Sequence, residues 1–254
     1  MLKVFLVDGD KGGVGKSIAA RLLIHYHVTL PAEVRPSIYV IDSDRSNPDI
    51  GGAGGYVRDP QAGIVAVALL DLSDEDGWID LVKRFGEFVE DDAEHRVIVS
   101  LPSQIGTRAF SGEIAIVREA MRALNMIPVW VLSRTKECLA ALEGRQIALP
   151  HRYDRGIAVR NLFWGRAREF HRWESSDLRK SLMDSGWEDV TLPAINETVL
   201  DGIERAPLHT IIPPDGHKVL DLGTDMSLRA SVGAAMPSMK VIADYSPTGE
   251  EEDE

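Results

Sequence analysis

The stretch Val4-Phe5-Leu6-Val7-Asp8-Gly9-Asp10-Lys11-Gly12-Gly13-Val14-Gly15-Lys16-Ser17 decides how this chain is read. Its apolar opening has the character of a buried strand, and Ala19, Leu22, Leu23 and Tyr26 then recur at helical spacing. Strand, glycine-rich loop, Lys-Ser and helix in that order is the layout of a phosphate-binding loop. The glycines let backbone amides turn inward around phosphate oxygens without Cβ clashes. The helix then points its positive end at the anion. In such a loop Gly12, Gly13, Val14, Gly15 and Lys16 form the cradle, Lys16 reaches the β- and γ-phosphates, and the Ser17 hydroxyl is placed to hold Mg²⁺.

Outward from the loop, short apolar runs alternate with helix-like segments. Strands are predicted at 2–8, 37–42, 95–101, 126–133, 157–164 and 188–192, and helices at 16–29, 76–90, 110–124, 136–146, 167–185 and 218–236. This alternation implies an α/β fold, a doubly wound and mainly parallel sheet with helices on both faces. Runs such as Ile38-Tyr39-Val40-Ile41 and Val97-Ile98-Val99 are apolar on both sides, as a covered parallel sheet requires. Ligands of such sheets sit at the carboxyl ends of the strands. One such end is Ile41-Asp42-Ser43-Asp44, where two carboxylates share one side of a strand. Asp42 and Asp44 are therefore candidates to face the phosphates and the metal, and Arg45-Ser46-Asn47-Pro48-Asp49 would form the loop after them. Gly51-Gly52-Ala53-Gly54-Gly55 reads as a mobile loop.

The phosphate loop departs from the general pattern. The position six before Lys16, ordinarily Gly, is Asp10, and a second lysine, Lys11, follows it. Lys-Gly-Gly-x-Gly-Lys-Ser resembles the signature of the deviant Walker A ATPases, the P-loop NTPase group that contains the ParA, MinD and nitrogenase iron-protein families. The resemblance implies ATP and Mg²⁺ as cofactors and a homodimer that sandwiches two nucleotides. It implies catalytic roles for Lys11, reaching the partner's phosphates, and for Lys16. Asp42 would touch the Mg²⁺ shell or orient the attacking water, and Asp44 would tune the switch. The spacing around Asn161-Leu162-Phe163 and Leu101-Pro102-Ser103-Gln104 is similar to a plasmid-associated branch linked to plasmid stability and conjugative transfer. A ligase resembling dethiobiotin synthetase is a further relative in the superfamily, and Lys11 argues against it.

In the family the third strand ends in an apolar run and then Asp-x-Pro, its acid holding a metal-bound water. Here the run is Val97-Ile98-Val99-Ser100-Leu101-Pro102, with Ser100 at the acid's position. A hydroxyl can still bond a metal-bound water but adds no charge beside the cation. Two readings follow: a slow ATPase using Ser17, Asp42 and Ser100 at the metal, or a nucleotide-binding regulatory or structural subunit with negligible turnover. Gln104 is a candidate to orient water or a solvated amide.

Asn161 ends a late strand, and an amide offers adenine's edge both a donor and an acceptor. The alternative is an Asn that merely ends the strand. Pro193-Ala194-Ile195-Asn196 is a weaker base-site candidate. Arg145–Arg172 carries seven arginines against Asp154 and Glu169, and is either a DNA-facing surface or a solvated face with packed tryptophans.

The chain has 254 residues and a formal net charge of −12, with five of its carboxylates in the last six residues. Residues 1–245 are expected to form one ATPase domain and 246–254 a disordered acidic tail. The single cysteine, Cys138, excludes an internal disulfide and reads as a small buried residue. No leader peptide and no spanning segment are apparent, which implies a cytoplasmic protein without membrane attachment. The function implied is a ParA/MinD-like ATPase that positions plasmid DNA or a large assembly, with an adaptor or activator protein as partner.

Overall fold

The computed structural model describes residues 1–102, 114–149, 151, 153–213, 215–217 and 219–246. Gln104 and the acidic tail from 247 onward lie outside the described residues. Seven parallel strands form one sheet: β1 (Leu2–Asp8), β2 (Ser37–Asp42), β3 (Ile64–Leu69), β4 (His95–Ser100), β5 (Met126–Leu132), β6 (Ile157–Asn161) and β7 (Glu188–Leu192). Their order is β3-β2-β4-β1-β5-β6-β7. The longer helices are α1 (Lys16–Val28), α2 (Glu75–Phe85), α3 (Ile114–Ala123), α4 (Lys136–Ala148), α5 (Asp177–Asp184), α6 (Glu197–Ile203) and α7 (Leu222–Asp244). This is the α/β arrangement expected, consistent with a P-loop NTPase.

The sheet is covered on both faces because side chains alternate along each strand. On β1, Phe5 and Val7 join the core under α1, α6 and α7, where Leu22, Leu23, Leu228 and Val232 pack. Val4 and Leu6 point the other way, against Trp78 of α2, Met121 of α3 and Leu142 of α4. Cys138 lies fully buried in that second layer, and burial pushes its thiol up to about 12, so it is a packed residue rather than a nucleophile.

The topology fixes where a ligand can sit. From β1 the chain passes through α1 to β2 on one side; from β4 it passes to β5 on the other. Because β1 and β4 are hydrogen-bonded neighbours, their diverging connections open a crevice at their carboxyl ends. Register places Ser100 opposite Val7 on one side and opposite Asp42 on the other.

Several boundaries differ from expectation. Strand β3 was not expected at all: it is an edge strand paired only with β2, and Val65 and Leu69 remain exposed, so it carries no clean in–out pattern. Helix α2 stops at Phe85 with Gly86 following, and 86–89 tightens into a 3-10 turn. The expected strand 157–164 ends at Asn161, and the expected helix 167–185 is broken into 167–169, 171–174 and α5. The last helix runs through Pro237 to Asp244, because Met239, Ile242 and Ala243 are packed into the core beyond the proline. The short helical pieces at 197–203 and 208–211 were also unforeseen.

Candidate functional site

The loop after β1 turns tightly on its glycines. Gly15 adopts φ 109°, and a Cβ there would meet Asn161 Nδ2 at 2.3 Å, so both backbone conformation and close approach demand glycine. Gly13 is also left-handed, at φ 75°. Lys16 opens α1, lies 7% exposed, and donates from Nζ to the Lys11 carbonyl at 3.0 Å. Burial lowers its pKa, Asp8, Asp10 and Asp44 oppose that, and Arg145 adds to it. A buried ammonium short of full compensation is a site that gains by meeting an anion. Val14 differs from its neighbours: its side chain is buried in the core under α1.

Residues distant in sequence meet around one cavity of about 310 Å³, lined by Gly13, Lys16, Ser17, Asp42, Asp44 and Ser100. Gly12, Gly15, Asn47 and Asp49 also border it. Asp42 is 2% exposed, and its oxygens accept the backbone N–H groups of Asp44 (3.0 Å), Asp49 (2.8 Å) and Gly51 (3.0 Å). It therefore shapes the loop after β2 as well as facing the cavity. Burial nonetheless keeps its carboxyl above the usual range, the three backbone donors acting against the rise. Asp44 accepts from the Ser46 hydroxyl and the Asn47 amide. The Gly51–Gly55 stretch, expected to be loose, is tied down: Gly51 bonds Asp42, Gly55 donates to Gly52, and Tyr56 donates to Ile50. Ser100 is buried at the end of β4, and its carbonyl accepts from the amide and hydroxyl of Ser43. Asp91, Asp92 and Glu94 sit at the strand's opposite end, where Asp91 pairs with His95.

Beneath the loop lies a group that sequence reasoning missed. Asp8, fully buried, accepts from Gly9 N–H at 2.7 Å through one oxygen. Its other oxygen accepts from Arg145 Nε at 3.0 Å and the Tyr153 hydroxyl at 3.1 Å. Arg145 also rests over the Trp130 ring. Burial lowers the guanidinium's pKa, but Asp8 and Tyr153 together leave it raised. The only hint in sequence was an acid closing an apolar run.

Asn161 is likewise placed by the loop. Its Nδ2 donates to the Val14 carbonyl at 2.8 Å and its Oδ1 accepts from Phe163 N–H at 3.1 Å. Trp164 Nε1 donates to the same Val14 carbonyl at 3.3 Å, and Lys11 Nζ lies 5.3 Å from the Trp164 ring centroid. The amide proposed to read adenine is thus engaged in holding the loop, and base recognition would require it to exchange these partners. Asn196, the weaker candidate, caps α6 by accepting from Thr198 N–H.

Arg145–Arg172 does not form a single basic face. Arg145 is in the core, and Arg160 is taken by Asp189 and Glu174. Arg152 lies outside the described residues, whereas Arg166, Arg168 and Arg172 are exposed. Sequence adjacency misled here because β6 runs through the middle of the stretch and turns its residues inward. Among the described residues no cluster of three or more His, Cys, Asp or Glu could hold a metal unaided. None of the described helices is long and apolar enough to cross a membrane.

No protein-family model matches the chain. The sequence is similar to Protein MobD of Acidithiobacillus ferrooxidans, with 28% identity over 202 residues that cover 79% of this chain and 81% of that protein.

Proposed function

We propose that this chain binds ATP with Mg²⁺ at the 11–17 loop and acts as a slow nucleotide switch of the ParA/MinD kind. Its dimer would close face to face around two nucleotides to partition or position plasmid DNA or a large assembly. The observation that carries this reading is the convergence of Gly13, Lys16, Ser17, Asp42, Asp44 and Ser100 on one cavity at the β1/β4 crevice.

The residues fit the two cofactors. Turned glycines and a buried lysine suit a polyphosphate. A hydroxyl and nearby carboxylates suit a hard cation that takes its remaining ligands from phosphate and water. Bound Mg²⁺ would supply charge neutralisation between the β- and γ-phosphates. On the protein side, Lys16 neutralises phosphate charge, and Ser17 and Asp42 orient the metal's ligands. Asp42 also keeps the loop to Gly51 in place, so its loss should disturb turnover more than nucleotide binding. Calorimetric titration of the full chain with ATP and Mg²⁺ tests this reading; no heat of binding would refute it.

Ser100 bears on how fast the switch runs. Phosphoryl transfer draws its rate from the metal and a positioned water. A neutral hydroxyl where a carboxylate is usual should raise the Mg²⁺ needed for saturation. Ser100→Asp is expected to lower that requirement, and Asp42→Ala to remove turnover while ATP binding largely persists. Phosphate release across a Mg²⁺ titration reads both. An unchanged Mg²⁺ dependence in Ser100→Asp, or full activity in Asp42→Ala, would show that the metal site is misplaced. The second reading, a regulatory subunit with negligible hydrolysis, is favoured by this same serine, and the same assay separates the two.

Lys11 bears on the dimer. Lys16 already occupies the cradle, whereas Lys11 sits outside it on Trp164. A lysine held there is free to swing towards a partner's phosphates. Wild type should sediment as a dimer with a non-hydrolysable ATP analogue, and Lys11→Ala as a monomer. Equal dimerisation of the two, or a monomeric wild type, defeats the idea. An adaptor or activator protein would then set the rate of the cycle.

A further inference from the structure

A second and larger concavity, of about 930 Å³, lies beside the phosphate loop, with Trp164 in its wall. It does not share lining residues with the cavity at the crevice. Its wall brings together Arg134 and Lys136, after β5, with Arg168, His171 and Arg172, after β6. The acids there are Glu137 and Glu169. Glu169 is engaged locally, accepting from Arg134 at 3.3 Å and from the Arg166 amide at 2.9 Å. Thr135 caps α4 by accepting from the Cys138 amide, so this helix also opens its positive end on the basin. In a chain of net charge −12, so much positive potential in one place is a local construction.

Arginine predominates among these cations, and its planar fork suits phosphate oxygens better than a lysine's point charge. Phe163 stands next to the wall, 43% exposed, with its ring edge-on to Trp164 at 5.6 Å. An exposed aromatic ring beside a basic groove is the combination that holds an unpaired base while cations follow the backbone. A duplex keeps its bases stacked and could use the charges alone.

We propose that this basin binds a single nucleic-acid strand, with Arg134, Lys136, Arg168 and Arg172 on its phosphates and Phe163 stacked on a base. The inference rests on the DNA-directed side of the function proposed above and not on nucleotide binding. It also narrows that surface to the C-terminal end of the Arg145–Arg172 stretch and joins it to Arg134 and Lys136 from the connection after β5.

The test is fluorescence anisotropy of the full chain, without nucleotide, with a labelled single-stranded oligonucleotide and with the matching duplex. Wild type should bind the single strand more tightly than the duplex. Arg168→Glu with Arg172→Glu should weaken single-strand binding at least about tenfold at low salt and flatten the salt dependence by about two phosphate contacts. Phe163→Ala should remove the preference for single strand while leaving the salt slope unchanged. Lys180→Glu, the same change of charge at an exposed position of α5, should behave as wild type. Because Arg168, Arg172 and Phe163 are exposed, these variants should fold, which circular dichroism checks. Equal affinity for duplex and single strand in wild type, or unchanged binding in the double variant, would overturn the proposal. Lys16→Ala should retain oligonucleotide binding, so a failed basin and a failed nucleotide site give different results.

Discussion

Replacing Arg145 with alanine is expected to destabilise the protein by about 3–5 kcal/mol, because it strands a buried carboxylate without its cation. Asp8 has no exposure with which to recover solvation, and the Tyr153 hydroxyl that remains is a neutral donor. A loss of that size is a large fraction of the about 5–15 kcal/mol that keeps a typical domain folded. The comparison that isolates the cause is Asp8→Leu with Arg145→Met, in which no charge is left buried. Apolar replacement of a buried pair is often close to neutral, so the double variant should be markedly more stable than Arg145→Ala. Urea unfolding midpoints for the three proteins decide the matter. An Arg145→Ala midpoint equal to that of wild type would mean the pair contributes nothing. The effect should also reach the 11–17 loop: Asp8 accepts from the Gly9 amide just ahead of it, so loosening Asp8 loosens that loop.

Lys16→Ala is expected to reduce ATP affinity beyond calorimetric detection while the chain stays folded. Hydrogen bonds from a charged donor contribute about 1.5–3 kcal/mol each. Lys16 can give more than one to the β- and γ-phosphates, and each 1.4 kcal/mol is tenfold in affinity. Its Nζ is already held inside the loop by the Lys11 carbonyl, so little ordering entropy is lost on binding. A pH dependence follows from its environment. Burial lowers the pKa below the ordinary 10.5, so in the free protein the ammonium loses its proton earlier on the alkaline side. The charged form binds phosphate, and ATP affinity should therefore decline with rising pH before 10.5 is reached. Undiminished binding in Lys16→Ala would remove the loop from consideration as the nucleotide site.

Local sequence was most informative where a residue's role depends on its immediate neighbours. The 11–17 loop needs turned glycines directly before a helix, and those are consecutive positions. That Asp42, Asp44 and Ser100 would share one cavity was legible because Asp42 and Ser100 each close an apolar run, Asp44 lies two residues beyond Asp42, and a parallel sheet gathers the carboxyl ends of its strands along one edge. Strands β1 and β2 have the predicted bounds, since both are covered on two faces and leave an unbroken apolar signal. Strand β3 was missed because an edge strand answers to one neighbour and exposes part of its length.

The buried Arg145 shows the limit of composition as a guide. In the sequence it heads an arginine-rich stretch; in the fold it faces Asp8, 137 residues away. A charge pattern along the chain carries no information about which charges are paired in the interior. The same holds for Asn161 and Trp164, whose shared hold on the Val14 carbonyl joins positions 147 and 150 residues apart in sequence. It holds too for the basic basin, which draws on the segments after β5 and β6.

By itself the sequence determined the α/β class, the strand–loop–helix order around the 11–17 loop and the serine that closes the apolar run at 97–100, because each follows from residue type and short-range spacing. The tertiary structure alone decided which strands are neighbours, which arginines are buried and which exposed, and what steadies the loop from below. Those are long-range pairings: they are selected by the packing of two helical layers on one sheet and by the need to satisfy every buried charge.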